Sequence, residues 1–119
     1  MNITITIGET VLAATLENNE ASREFAAMFP IKLELTDYAS TEKVSDLPKK
    51  LSTAGAPAGY KASAGDITYY APWGNLAIFY KDFSYAGGLV KLGHIDGDLN
   101  ALAKQNNAFW VVFKRAESK

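Results

Sequence analysis

Residues 65–97 read GDITYYAPWGNLAIFYKDFSYAGGLVKLGHIDG, and this stretch decides the fold. Apolar, β-branched and aromatic residues run through 66–71, 76–83 and 89–95, which predicts three successive strands. Pro72-Trp73-Gly74-Asn75 joins the first two. Proline presets φ at the second turn position, and Gly74 can take a positive φ. Residues 84–88 (SYAGG) turn the chain again. Gly93 interrupts the third strand, which marks a bulge or a close backbone approach. Tyr69, Tyr70, Trp73, Phe79, Tyr80, Phe83 and Tyr85 all fall in this stretch. It is expected to form one wall of a small β-barrel and the rim of any pocket.

Downstream, Asp96-Gly97 ends the third strand, and Leu99, Leu102 and Ala103 have the spacing of a short helix over 98–104. Asn106-Asn107 is a turn, and 108–114 (AFWVVFK) is a final strand, apolar on both faces and therefore central or covered. Upstream, 52–64 (STAGAPAGYKASA) reads as a long loop, functional or mobile at that length. A short helix is expected over 47–51, capped by Ser45 or Asp46, with Pro48 tolerated in its first turn. Residues 37–43 read as a polar loop. The strand 31–38 places Ile31, Leu33 and Leu35 on one face and Lys32, Glu34 and Thr36 on the other.

Asn18 or Asn19 caps a helix over 20–28, whose stripe of Ala21, Phe25, Met28 and Phe29 suits a plug for a barrel end. Pro30 ends it. At the start, Ile3-Thr4-Ile5-Thr6-Ile7 alternates with period two, 8–10 turn, and 11–17 return as a second strand. The expectation is a mainly β fold: a closed or nearly closed barrel of about eight strands, one or two helices capping its ends, the first and last strands pairing.

A chain of 119 residues reads as one domain over 1–119, large enough to bury roughly two-thirds of its unfolded surface. The formal net charge of −1 argues against a nucleic-acid partner, which calls for a clustered basic excess. The sequence has no cysteine, so it offers no disulfide and no thiolate nucleophile or metal ligand. No apolar run reaches membrane-span length, and MNITITIGET lacks the regions of a signal peptide. Cytoplasmic residence, no cofactor, no metal and a monomer or weak homo-oligomer are the expectations.

Candidate chemistry is sparse. His94 and Asp96 share a strand face, so a His–Asp pair is sterically open. A hydrolytic triad would also need a serine on a sharp turn, and no G-x-S-x-G occurs. The run from Asp96 imitates a calcium loop but has Ala101 and Asn107 where glycine and glutamate are required. No phosphate-cradling motif is present. Asp66 and Asp82 read as turn-fixing residues at strand ends. The aromatic cluster carries the functional reading, because aromatics with polar tips line sites for small molecules and extended peptides. Phe79, Tyr80, Phe109, Trp110 and Phe113 read mainly as barrel filling; Trp73, Phe83 and Tyr85, in turns, have little core to fill.

The order of elements, with residues 65–83 (GDITYYAPWGNLAIFYKDF) and 88–102 (GLVKLGHIDGDLNAL), resembles the small bacterial cyclophilin-like proteins. The second passage is similar to the strand, glycine, turn and helix that cyclophilins carry late in the chain. The resemblance implies a cyclophilin-like barrel, with Phe79 and Tyr85 near the family's pocket phenylalanine and pocket tryptophan. It also implies prolyl isomerisation, in which a strand arginine donates to the twisted amide. The corresponding strand here, Ile31-Lys32-Leu33-Glu34-Leu35, contains no arginine, and the glutamine-glycine-glycine-aspartate passage is reduced to Ala64-Gly65-Asp66. The expectation is therefore a binding module with no assigned catalytic residue, holding a peptide or small organic ligand at Tyr38, Tyr69, Trp73, Phe79, Phe83 and Tyr85. The alternatives are an isomerase with a displaced donor such as Lys32, and a hydrolase built on His94 and Asp96.

Overall fold

The structure, a computed structural model, describes residues 1–116. Ten strands and two short helices follow one another: β1 (Asn2–Ile7), β2 (Thr10–Leu16), α1 (Glu20–Ala26), β3 (Ile31–Tyr38), β4 (Glu42–Asp46), β5 (Gly59–Lys61), β6 (Asp66–Tyr70), β7 (Asn75–Phe79), β8 (Tyr85–Gly87), β9 (Leu89–Ile95), α2 (Asn100–Ala103) and β10 (Phe109–Arg115). Eight strands close a barrel in the order β1-β10-β3-β4-β7-β6-β9-β2, with β2 returning to β1. Every neighbouring pair is antiparallel. The first and last strands pair as expected, Ile3 opposite Arg115 and Ile5 opposite Phe113.

Period-two alternation sends one residue in two inward. Ile3, Ile5, Leu12, Ala14, Leu35, Ile67, Tyr69, Leu76, Ile78, Leu92, Val111 and Phe113 belong to one buried core. Helix α1 covers one end. Asn19 caps it, its Oδ1 accepting from the Ser22 N–H at 2.8 Å. Ser22 Oγ donates to the Leu92 carbonyl at 2.8 Å, tying the helix to β9. Phe25 stands edge-on to Phe29 and Phe113, with centroids 5.0 and 5.3 Å away, so the aromatic stripe plugs the barrel.

The structure departs from the sequence reading in the middle of the chain. The polar loop expected over 37–43 is mostly strand, reversing over Ala39 and Ser40, both at positive φ. No helix forms over 47–51. The Leu51 N–H bonds the Tyr69 hydroxyl and the Ser52 N–H bonds Glu24, so side chains take donors that a helix would have used or left free. The strand expected over 76–83 stops at Phe79, and Phe83 bonds the Ala62 carbonyl instead. Segments read as loop and turn, 52–64 and 84–88, contain β5 and β8, which pair as a two-stranded ribbon separate from the barrel sheet. A β-carbon at Gly59 would collide with the Ala86 carbonyl, so these strands approach closely because glycine permits it.

Gly93 has both roles expected of it. The β6–β9 register shifts between Ile67 and Thr68, which oppose Gly93 and Lys91, leaving Leu92 as the bulge residue. A β-carbon on Gly93 would strike the Thr15 carbonyl and lie 3.0 Å from Leu16 Cα. Both obstacles are rigid backbone. Gly93→Ala is therefore expected to destabilise the fold by about 1–3 kcal/mol, read as a lower urea midpoint. An unchanged midpoint would show that β2 and β9 can separate freely.

Candidate functional site

A cleft of about 360 Å³ opens on the outside of the barrel wall. Its floor and walls follow from the alternation of β7. Leu76 and Ile78 point into the core, so Asn75, Ala77 and Phe79 face outward. Phe79, Ala77, Leu89 and Ala62 form a second apolar cluster, with Val44, Tyr60, Tyr70 and Ala86 packed against it. Ala86 and Gly87 of the ribbon supply one wall, and Tyr38 and Glu42 from β3 and β4 contribute opposite them. Trp73, from the β6–β7 turn, stands nearly perpendicular to both Tyr38 and Tyr70, with centroids 5.6 and 5.4 Å away. Phe83 packs on Phe79 at 5.3 Å.

Four of the residues expected to bind a ligand, Tyr38, Trp73, Phe79 and Phe83, line this cleft together. Trp73 is 59% exposed, which leaves much of its indole free. Tyr69 is elsewhere. At 1% exposure it lies inside the barrel, because β6 directs it to the core face, and its hydroxyl accepts from Leu51. Tyr85 is 63% exposed and is absent from the cleft lining. It belongs to β8, whose next residues Ala86 and Gly87 take the lining positions. Phe79, read mainly as barrel filling, faces out, and Trp110 lies exposed on the barrel surface.

Sequence reasoning missed Glu42, Tyr70 and Asn75. Glu42 sits opposite Tyr38 on one side and Phe79 on the other. Its Oε2 is buried and meets no hydrogen-bond donor among the described residues; the same holds for Oδ1 of Asn75, a residue only 6% exposed. Buried acceptors are almost always paired within a protein, so two unpaired ones in one cleft are informative. Burial pushes the Glu42 carboxyl up to about 7, with the nearby Asp37 charge adding to the effect.

Its neighbours are satisfied internally. The Tyr80 hydroxyl donates to Asp37 and, against desolvation, holds that carboxyl below its ordinary range; Lys43 and the Ser40 N–H assist. Tyr80 itself is pushed up to about 12 by burial and by Asp37. Lys43 is 2% exposed and donates to the Gln105 carbonyl at 2.6 Å, with Asp37 3.2 Å away.

His94 is not paired with Asp96. Its Nδ1 lies 2.9 Å from Asp66 Oδ1, while Asp96 accepts from Thr15 Oγ1 at 2.8 Å. The register places Asp66 directly opposite His94, and that cross-strand position is nearer than one two residues along the strand. Asp66 also accepts from the Tyr60 hydroxyl at 3.1 Å and the Ser63 N–H at 2.9 Å, with Lys91 Nζ at 3.7 Å. Burial and then the Asp66 charge raise the Tyr60 phenol well above its ordinary value. A second cleft of about 270 Å³, between the start of α1 and residues 52–57, includes Tyr60 and Lys91. Among the described residues no group of three or more His, Cys, Asp or Glu could hold a metal ion. No helix is long and apolar enough to cross a membrane.

With this architecture in view, comparison with known proteins is specific about the family. A model of the cyclophilin-like family matches residues 5–114, and the chain belongs to that family. The fold is similar to the solution structure of the hypothetical protein AF2241 from Archaeoglobus fulgidus, with a TM-score of 0.69 and 19% identity over 98% of this chain and 95% of that one. No curated protein matches the sequence.

Glu42 sets a pH dependence for stability. Its carboxyl titrates near 4.5 when unfolded and near 7 when folded. The folded state therefore binds the extra proton between these values, and stability falls as pH rises from 4.5 through about 7. Asp37, lowered in the fold, acts oppositely and in a different window, losing stability as pH falls below its ordinary 3.8. Urea midpoints at pH 5, 6, 7 and 8 should decline for the wild type. Subtracting the Glu42→Gln series should isolate that decline; parallel series would remove Glu42 as its source.

Proposed function

We propose that this protein is a binding module that holds a small organic ligand or a side chain of a peptide in the cleft over β7, without isomerase activity. The observation that carries this reading is the pair of unpaired buried acceptors, on Glu42 and Asn75, set among aromatic rings. A volume of about 360 Å³ falls near the lower end of the range for small-molecule sites, which supports a small ligand. Tyr38, Trp73, Phe79 and Phe83 supply apolar contact, and the two acceptors supply orientation.

The chemistry of the cleft does not favour isomerisation. Rotation about a prolyl amide is slow because of resonance, and a donor to the amide nitrogen relieves it. Neither arginine lines the cleft: Arg23 donates to Asn18, and Arg115 borders a shallow depression beside Phe29. Lys32 lies on β3 with its ammonium 5.1 Å from the Trp110 ring centre, outside the cleft.

Chemical-shift mapping with a panel of proline peptides and small metabolites tests the reading. Perturbations are expected on the Trp73 indole, the Ala77 methyl and the Asn75 amide. Clustering on Tyr60 and Lys91 instead would move the site to the second cleft and overturn the proposal. A protease-coupled assay on a prolyl peptide is expected to show no acceleration over the uncatalysed rate. Acceleration abolished by Phe79→Ala would overturn the non-catalytic part.

A further inference from the structure

The same cleft carries information about the charge of its occupant. Its buried side-chain atoms without partners among the described residues are both acceptors, a carboxylate oxygen and an amide oxygen. Its aromatic lining offers ring faces: Trp73 meets Tyr38 and Tyr70 at interplanar angles of 83°, so the three rings are not stacked face to face. Ring faces carry negative potential and attract cations lying within about 6 Å. Among the described residues no lysine or arginine lines the cleft. Lys43, next to Glu42 in sequence, is turned to the opposite face of β4 and is held by Asp37 and Gln105.

The two acceptors lie toward opposite ends of the cleft. Glu42 is opposite Phe79, whereas Asn75 is opposite Asp46, four residues further along the pair. At about 3.3 Å per residue the two rungs are about 13 Å apart. Small or apolar residues, Ala77, Ala86 and Leu89, occupy the space between. The shape suits an apolar stem with a donor-bearing cationic head at the Glu42 end.

We infer that the cleft recognises a protonated amine on an apolar stem, the ammonium paired with Glu42 beside the aromatic rings and the stem lying over Ala77 and Leu89. The inference rests on the binding role proposed for this cleft and specifies its ligand class. Free alkylamines and lysine side chains share this chemistry.

The proton balance of Glu42 supports it. Its carboxyl titrates near 7 in the open cleft, and an ammonium beside it favours the ionised form. The groups facing Glu42 are Asp37 and Tyr38 from β3 and Tyr80 beyond β7, with Lys43 adjacent on its own strand; the ribbon wall, Ala86 and Gly87, has no titratable side chain. Asp37 is lowered and Tyr80 is raised to about 12, so neither changes charge between pH 6 and 8. Amine affinity should therefore rise roughly tenfold from pH 6 to pH 8 as Glu42 ionises.

The test compares hexylammonium, hexanol and hexanoate at pH 8 by chemical-shift titration, reading Trp73, Ala77 and Asn75. Hexylammonium is expected to bind at least tenfold more tightly than hexanol, and hexanoate more weakly still. Nα-acetyl-lysine methylamide, run beside them, separates a peptide source from a free amine. Glu42→Gln should cost about tenfold in amine affinity and abolish its pH dependence. Because Glu42 Oε2 has no partner to lose among the described residues, this variant should fold.

Equal binding of hexanol or hexanoate at these resonances would overturn the amine specificity and leave the binding role intact. An amine affinity flat from pH 6 to 8, or unchanged in Glu42→Gln, would also overturn it. Silence of all four probes would overturn it too, while the peptide and metabolite panel would decide the binding role separately.

Discussion

The carboxylate of Asp66 holds the cleft in shape. It lies at the start of β6, almost fully buried although its strand face points away from the core. Leaving a carboxylate there unpaired would cost several kcal/mol. The chain avoids that cost by bringing four partners to it: the Tyr60 hydroxyl, the Ser63 N–H, His94 and Lys91. Tyr60 belongs to β5, β5 pairs with β8, and β8 supplies Ala86 and Gly87 to the cleft wall. One buried charge thus fixes a ribbon that makes no ladder with the barrel. Gly65 completes the arrangement, since its φ of +97° suits glycine and a β-carbon would lie 2.8 Å from His94 Cε1.

Glu42 and Lys43 show how alternation gives two neighbouring charges different surroundings. They are consecutive on β4, so alternation sends one outward and one inward. Lys43 goes in and is satisfied: a carbonyl, a carboxylate and the rings of Tyr80 and Phe109 surround its ammonium. Glu42 goes out to the cleft, where Oε2 is shielded from water and from protein donors alike. The fold thus resolves the cost of the lysine internally and leaves the glutamate oxygen without a donor among the described residues.

The same strand explains what the sequence concealed. The barrel was legible because most strands obey the period-two code, from Ile3-Thr4-Ile5 onward, and because turn chemistry at Pro72 and Gly74 is explicit. Strand β4 inverts the code, with Lys43 and Ser45 on the core side and Val44 on the cleft side, so Glu42 and Lys43 read as the end of a polar loop and Ser45 or Asp46 as a helix cap. Strands β5 and β8, three residues each, are too short to show a period and are made largely of loop residues. Part of the cleft was nonetheless visible, because Trp73 and Phe83 are large aromatics in connecting segments with no core to fill. Tyr69 and Tyr70 are indistinguishable by composition, and only the register of β6 decides that the first faces the core and the second the cleft. Glu42 and Asn75 gave no signal, since an unpaired acceptor is defined by what fails to approach it in three dimensions.

The polarity of the cleft also bears on how family membership should be used. Prolyl isomerisation needs a donor aimed at the amide nitrogen, and a planar guanidinium presents such donors in fixed geometry where an ammonium does not. Here the buried cleft atoms without partners among the described residues are acceptors, and nearby lysines are placed elsewhere: Lys43 in the barrel end, Lys32 over Trp110, Lys81 over Tyr80 and Lys91 beside Asp66. Among the described residues no arginine or lysine lines the cleft of this barrel. The barrel is specified by the core alternation of its strands. Fold does not fix function, so the ligand proposed for this chain rests on a few outward positions along β4 and β7 and not on the barrel itself.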